Sequence, residues 1–161
     1  MKQTKLFSLL FMAILSAVPL TSCSSDEEEE RANALRGESL MLTNYIEYLD
    51  GEEIDRGSIQ NSIWLLHKDG EVEMGREYNR KYSNATWSIK NNAIVVNYYD
   101  DDELAKTERY EIENVYNFGC FVLRIYLDDT GTHYRRICGD IDSDKYDHTN
   151  PPSWWYEEWD F

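Results

Sequence analysis

The stretch 85-ATWSIKNNAIVVNYY-99 decides the fold. Asn91 and Asn92 belong to the small set of residues that accept positive φ at both central positions of a tight hairpin turn. A two-residue turn there pairs Lys90 with Ala93, and therefore Ile89 with Ile94, Trp87 with Val96 and Ala85 with Tyr98. Every apolar residue then meets an apolar partner on one face, and Thr86, Ser88 and Lys90 take the other. A slip of one residue would carry the whole apolar set to the polar side, so the register is close to dictated.

The same pattern extends outward in both directions. Strands are predicted over 40–49, 62–67, 71–75, 85–90, 93–99, 104–113, 120–127 and 132–138, with little helical periodicity between Leu40 and Cys138. Asp50-Gly51, Asp69-Gly70 and Asp129-Thr130-Gly131 supply the turn chemistry. The turn over Lys68 to Glu71 aligns Leu65 with Met74 and His67 with Val72. In the seventh strand Phe121, Leu123, Ile125 and Leu127 alternate with Cys120, Val122, Arg124 and Tyr126, which marks one face as core. Sequential antiparallel strands with short links describe an all-β domain, an eight-stranded antiparallel up-and-down barrel. A β-sandwich is the competing arrangement, because strand pairs alone do not determine how a sheet closes.

The stretches LMLTNYIEYLDGEEI (40–54), SIWLLHKDGEVEM (62–74), ATWSIKNNAIVVNYY, ERYEIENV (108–115) and CFVLRIYL (120–127) together resemble the lipocalin-like domain of many small lipoproteins of the Bacteroidota. Met41 stands roughly where lipocalins usually carry a tryptophan. The resemblance implies a barrel whose interior or open end holds a small apolar or amphipathic ligand; a barrel of eight strands either fills with its own side chains or holds one such molecule. Trp64 or Leu65, Trp87, Tyr98, Tyr110 and Tyr126 are the candidate lining residues.

Ahead of the barrel, Lys2 and Lys5 precede an apolar run from Leu6 to Leu20, interrupted by Ser8, Ser16 and Pro19. Its length and flanks match a secretory signal peptide over 1–22. Leu20-Thr21-Ser22-Cys23 resembles a bacterial lipobox, which implies acylation of Cys23 and attachment to a membrane through an N-terminal lipid anchor. Ser24-Ser25-Asp26 and the four glutamates Glu27 to Glu30 resemble the acidic export signal of surface lipoproteins, which implies an outer-membrane protein facing the cell exterior; the periplasmic face is the alternative. As plain chemistry, such a run of like charge remains solvated, and 23–37 reads as an acidic, disordered linker. The remaining chain divides into the barrel at 38–140 and an aromatic, acidic tail at 141–161.

The formal charge is −15, and removing Lys2 and Lys5 with the leader takes it to −17. A surface this negative repels phosphate backbones, which excludes nucleic acid as a partner, and favours neutral or cationic ones. An interaction module capturing a basic partner protein, of immunity or adhesion type, is the second functional reading. Catalysis has no support: there is no nucleophile elbow, phosphate loop or dinucleotide fingerprint, and no cofactor is implied. His67, His133 and His148 lack metal-ligand spacing. Asp140, Asp142 and Asp144 alternate as in a calcium loop, but Lys145 and Pro151 occupy the positions that need glycine and a bidentate glutamate.

Cys120 and Cys138 lie on adjacent predicted strands. If Gly131 forms a bulge closing Asp128 against Thr132, the two thiols share a face as diagonal neighbours, a geometry that bridges poorly. A disulfide is set slightly ahead of two buried thiols, since an exported protein meets oxidising conditions. The tail NPPSWWYEEWDF brings Trp154, Trp155 and Trp159 together. Ser153 is placed to start a short helical turn with Trp155 and Trp159 on one face, either covering an apolar seam of the barrel or forming a recognition patch for a partner or sugar.

Overall fold

The computed structural model describes residues 23–159; the segment 1–22, where a signal peptide is expected, and the last two residues of the tail lie outside them. The described residues form nine strands: β1 (Ser39–Leu49), β2 (Glu52–Ser58), β3 (Ile63–Leu66), β4 (Val72–Met74), β5 (Asn84–Lys90), β6 (Ala93–Asp100), β7 (Glu103–Val115), β8 (Cys120–Tyr126) and β9 (His133–Asp142). Helices α1 (Cys23–Leu35) and α2 (Ser153–Trp159) flank them. All pairings are antiparallel and follow the order β4-β3-β1-β9-β8-β7-β6-β5. β2 and β3 lie end to end along one edge of β1, with Asn44 opposite Ser58 and Met41 opposite Leu65, so together they make one broken stave. The Glu71–Thr86 bridge and the Trp87 N–H to Gly70 carbonyl bond (2.9 Å) bring β4 back to β5. Eight staves therefore form a nearly closed lipocalin-like barrel, and the sandwich alternative is set aside.

The hairpin at Asn91-Asn92 has the expected register throughout, with φ of 47° and 52° at the two asparagines. β8 and β9 pair Cys120 with Asp140 and Val122 with Cys138, the register that a bulge at Gly131 (φ 76°) requires. The β3–β4 hairpin differs from expectation. Leu66 faces Val72 and Leu65 faces Glu73, because the turn closes His67 against Glu71 around a three-residue loop with Gly70 at φ 95°, and an irregularity between Ile63 and Leu65 then sets Ile63 opposite Met74.

One face of each stave builds the core. Leu40, Leu42, Ile63, Leu66, Met74, Ala85, Ile94, Val96, Tyr98, Tyr110, Ile112, Phe121, Leu123, Ile137 and Ile141 fill the interior. Gly139 is required there: a Cβ at this position would run into the Met41 carbonyl and the Phe121 ring.

The acidic segment 23–37 is largely a helix, not a disordered linker. Glutamate, alanine, arginine and leucine all favour helix, and carboxylates near its N-terminus suit the positive end of the helix dipole. Docking supplies the remainder: Ala32 and Leu35 are fully buried in the barrel core, and Arg31 Nη1 donates to the Glu113 carbonyl at 2.8 Å. Gly37 (φ 74°) then turns the chain into β1. α1 thus stoppers the end of the barrel where β1 begins and β7 finishes. No helix among the described residues is long and apolar enough to cross a membrane.

α2 lies against the outside of the barrel. Trp155 and Trp159, each 2% exposed, pack with Ile46, Cys120, Val122 and Cys138, which project outward from β1, β8 and β9. The tail therefore covers an apolar seam. Cys120 and Cys138 are free thiols under that cover, a correction to the disulfide expected between them. As diagonal neighbours on antiparallel strands their Cβ atoms lie about 7 Å apart, beyond disulfide reach.

Candidate functional site

The end of the barrel opposite α1 is open and polar. The β1–β2, β6–β7 and β8–β9 hairpins surround it, and the β4–β5 connection crosses it with a short 3-10 turn, Tyr78–Arg80. A cavity of about 340 Å³ sits in this mouth, within the size range of small-molecule sites. Its apolar wall is Ile63, Ile125 and Ile137 together with the rings of Tyr45, Tyr78 and Tyr110. Its polar rim comes from Ser58, Gln60, Asn61 and Ser62, the residues that interrupt the β2–β3 stave, with Glu77 and Arg135.

Two charged clusters hold the mouth in shape. Glu47, on the inner face of β1, accepts from Arg135 Nε at 3.1 Å and pairs with His133 Nε2 at 2.7 Å. Burial alone would push the Glu47 carboxyl up, but the Arg135 and His133 hydrogen bonds outweigh it and hold the group below the usual carboxylate range. Arg135 also lies 4.3 Å over the Tyr45 ring, and the Tyr45 hydroxyl donates to Asp55 at 2.8 Å.

Deeper in, Glu108 of β7 is a carboxylate only 8% exposed. The hydroxyls of Tyr98 (2.6 Å), Tyr110 (2.5 Å) and Tyr78 (3.1 Å) donate to it, and so does Lys106 Nζ (2.6 Å). Burial pushes this carboxyl up as well, and the bonds from Lys106, Tyr110 and Tyr98 reverse that shift, so the group is anionic. The same burial, with the Glu108 charge alongside, raises the phenols of Tyr98 and Tyr110 far above their ordinary value. Tyr78, Tyr82 and Tyr98 form a triangle of rings, with centroids 5.8, 5.0 and 4.9 Å apart.

Of the candidate residues read from the sequence, Tyr110 lines the mouth and Tyr98 stands behind it at Glu108. Trp87 packs on the core nearer the stoppered end, its indole N–H donating to the His67 carbonyl at 2.6 Å. Trp64 is half-buried at the β3 irregularity. Leu65 faces an outer groove with Met41, Asp140, Trp155 and Tyr156, and Tyr126 is exposed on the outer wall. Trp155 and Trp159 belong to the outer seam, and Trp154, 43% exposed, edges Tyr116 and Phe118. Sequence reasoning did not single out Tyr45, Tyr78, Lys106, Glu108 or Arg135. Strand alternation from Tyr110 places Glu108 and Lys106 on the same inward face, so that signal was present for two of them.

A wider outer depression, about 780 Å³, includes Arg31, Arg109, Arg124 and Arg136. Arg124 pairs with Glu113, Arg136 bridges Glu113 (2.8 Å) and Glu158 (2.7 Å), and Arg109 donates to the carbonyls of Lys90 and Asn91. These guanidiniums tie α1, α2 and the β5–β6 turn to the wall. No group of histidines, cysteines and carboxylates suited to a metal ion occurs among the described residues.

The fold and its mouth define a lipocalin-like all-β barrel with one stoppered end and one open end. Comparison with known proteins finds no matching family model, no similar curated protein and no similar solved structure.

Proposed function

We propose that this chain is a lipid-anchored binding protein whose barrel mouth takes one small amphipathic molecule. The carrying observation is the mouth cavity itself: an isoleucine and tyrosine wall beneath a polar rim, at the one end of the barrel that α1 does not stopper. The rest of the interior is filled with side chains, so the ligand is short and not a long acyl chain. A thermal-shift screen of small amphipathic compounds tests the reading. The expected result is a stabilising hit that persists at high salt and disappears in Ile125→Trp, where the indole fills the half-buried wall of the cavity. A hit that survives Ile125→Trp, or a screen without any, refutes it.

The anchor rests on the lipobox resemblance at Leu20 to Cys23 and on the acidic run after it. Two or more acyl chains give stable attachment at about 0.8 kcal/mol per buried methylene. Display at the outer membrane, facing the exterior, is the placement this reading favours. An acyl-chain probe should label the protein at Cys23, and protease should reach it on intact cells. A Cys23→Ala protein that still partitions with membranes would sink the anchor.

A further inference from the structure

We propose that the mouth recognises an ammonium group, with Glu108 and the rings of Tyr78, Tyr82 and Tyr98 receiving the cationic end of an amphipathic amine, and that the Lys106 ammonium is its resident stand-in. This deepens the reading that the mouth cavity holds a small amphipathic ligand and rests on it.

The first observation is an anion placed where an apolar residue would serve packing better. Glu108 projects into the barrel, is 8% exposed, and is surrounded by hydrogen-bond donors. Replacing buried ion pairs with apolar side chains is often neutral or stabilising, so a buried carboxylate beside a cavity asks for a use. The second is that the site already holds an ammonium. Lys106 Nζ lies 2.6 Å from Glu108 Oε1 and 5.9 Å from the Tyr78 ring centroid, a position that combines ion pairing with attraction to the ring face. The Lys106 side chain is 45% exposed on a flexible stem, so it can swing into water while Glu108 cannot.

Third, the ring triangle is continuous with the cavity. Tyr78 belongs to both, and Tyr110 links the cavity wall to Glu108. An amine seated on Glu108 therefore has its apolar body against Ile63, Ile125 and Ile137. The charge of the surroundings agrees. Arg135 is engaged by Glu47, Glu77 and Asp55 lie at the rim, and a protein of net charge −15 draws cations toward its clefts.

Isothermal titration of 2-phenylethylamine and of its uncharged counterpart 2-phenylethanol tests the inference on the parent, Lys106→Ala and Glu108→Gln. The expected pattern is amine binding that tightens about tenfold in Lys106→Ala and weakens about tenfold or more in Glu108→Gln, with the alcohol indifferent to both. Tyr82→Leu, which removes a ring of the triangle without touching the Glu108 hydrogen bonds, should weaken the amine several-fold and guards against loss of folding in Glu108→Gln. Equal binding of amine and alcohol in every variant overturns the ammonium site and leaves the small-ligand reading standing. Binding of neither compound to the parent or to Lys106→Ala overturns both.

Discussion

Replacing Trp155 by alanine should unfold this protein at a much lower temperature, although Trp155 lies outside the barrel. The indole is 2% exposed and is wedged between the outer faces of Cys120, Val122 and Cys138 and the rings of Tyr116, Phe118 and Trp159. A buried indole removes about 200 Å² from water. At about 25 cal/mol per Å² its burial contributes roughly 5 kcal/mol, and tryptophan-to-alanine truncations in packed sites cost about 3–5 kcal/mol. For a domain of this size that corresponds to a fall in melting temperature of roughly 10–15 °C. The neighbouring Trp154, 43% exposed and held by ring edges only, should cost about 1 kcal/mol when truncated. Melting followed by far-ultraviolet circular dichroism on the two variants and the parent decides it. A Trp155→Ala protein that melts within about 2 °C of the parent, or a Trp154→Ala protein at least as damaged, would refute the account of the tail as a sealing element.

Three other outcomes follow. Burial pushes the Cys138 thiol up to about 12 and the Cys120 thiol higher still, with the Cys120 thiol also donating to Asp140. Both should resist iodoacetamide in the folded protein and alkylate fully on denaturation, as intact mass will show; a mass two protons short, indicating a bridge, would contradict the register. Glu108 and Glu47 have folded pKa values held below the unfolded value near 4.5, so their stabilisation is present above that pH and is lost as pH falls through the folded values. Urea midpoints measured across pH 3 to 6 should drop on the acid side, and Glu108→Gln should flatten that drop; an unchanged slope rejects the assignment. Gly139→Ala should cost about 2–3 kcal/mol in urea unfolding, because its methyl group meets the Met41 backbone and the Phe121 ring.

The parts of the fold legible in the sequence are those where turn chemistry and alternation agree. Asn91-Asn92 and Gly131 place four of the staves in register, β5 with β6 and β8 with β9, through residues that accept positive φ, and the diagonal relation of Cys120 and Cys138 follows from the second. β2 was missed because Glu52–Ser58 carries no apolar alternation: nothing on it is buried, and only its pairing with β1 makes it a strand. α1 was misread because its stability comes from tertiary docking of Ala32 and Leu35, which a run of glutamates conceals. The binding end was the least legible. Tyr45, Tyr78, Glu108 and Arg135 come from three strands and a connecting turn, and no linear motif joins residues that only barrel closure brings together.

The broken stave carries one more consequence. β2 pairs with β1 on one side, and β4 joins the sheet through β3, so the far edge of β2 offers unpaired backbone groups at the rim. Such an edge is a template on which a second chain can extend the sheet and seed aggregates. Four of its seven residues, Glu52, Glu53, Asp55 and Arg56, are charged, and an incoming copy would bring the same excess of carboxylates against them. Charge at this seam therefore keeps neighbouring molecules apart at high protein concentration, a protection that neutralising Glu52 and Glu53 would remove.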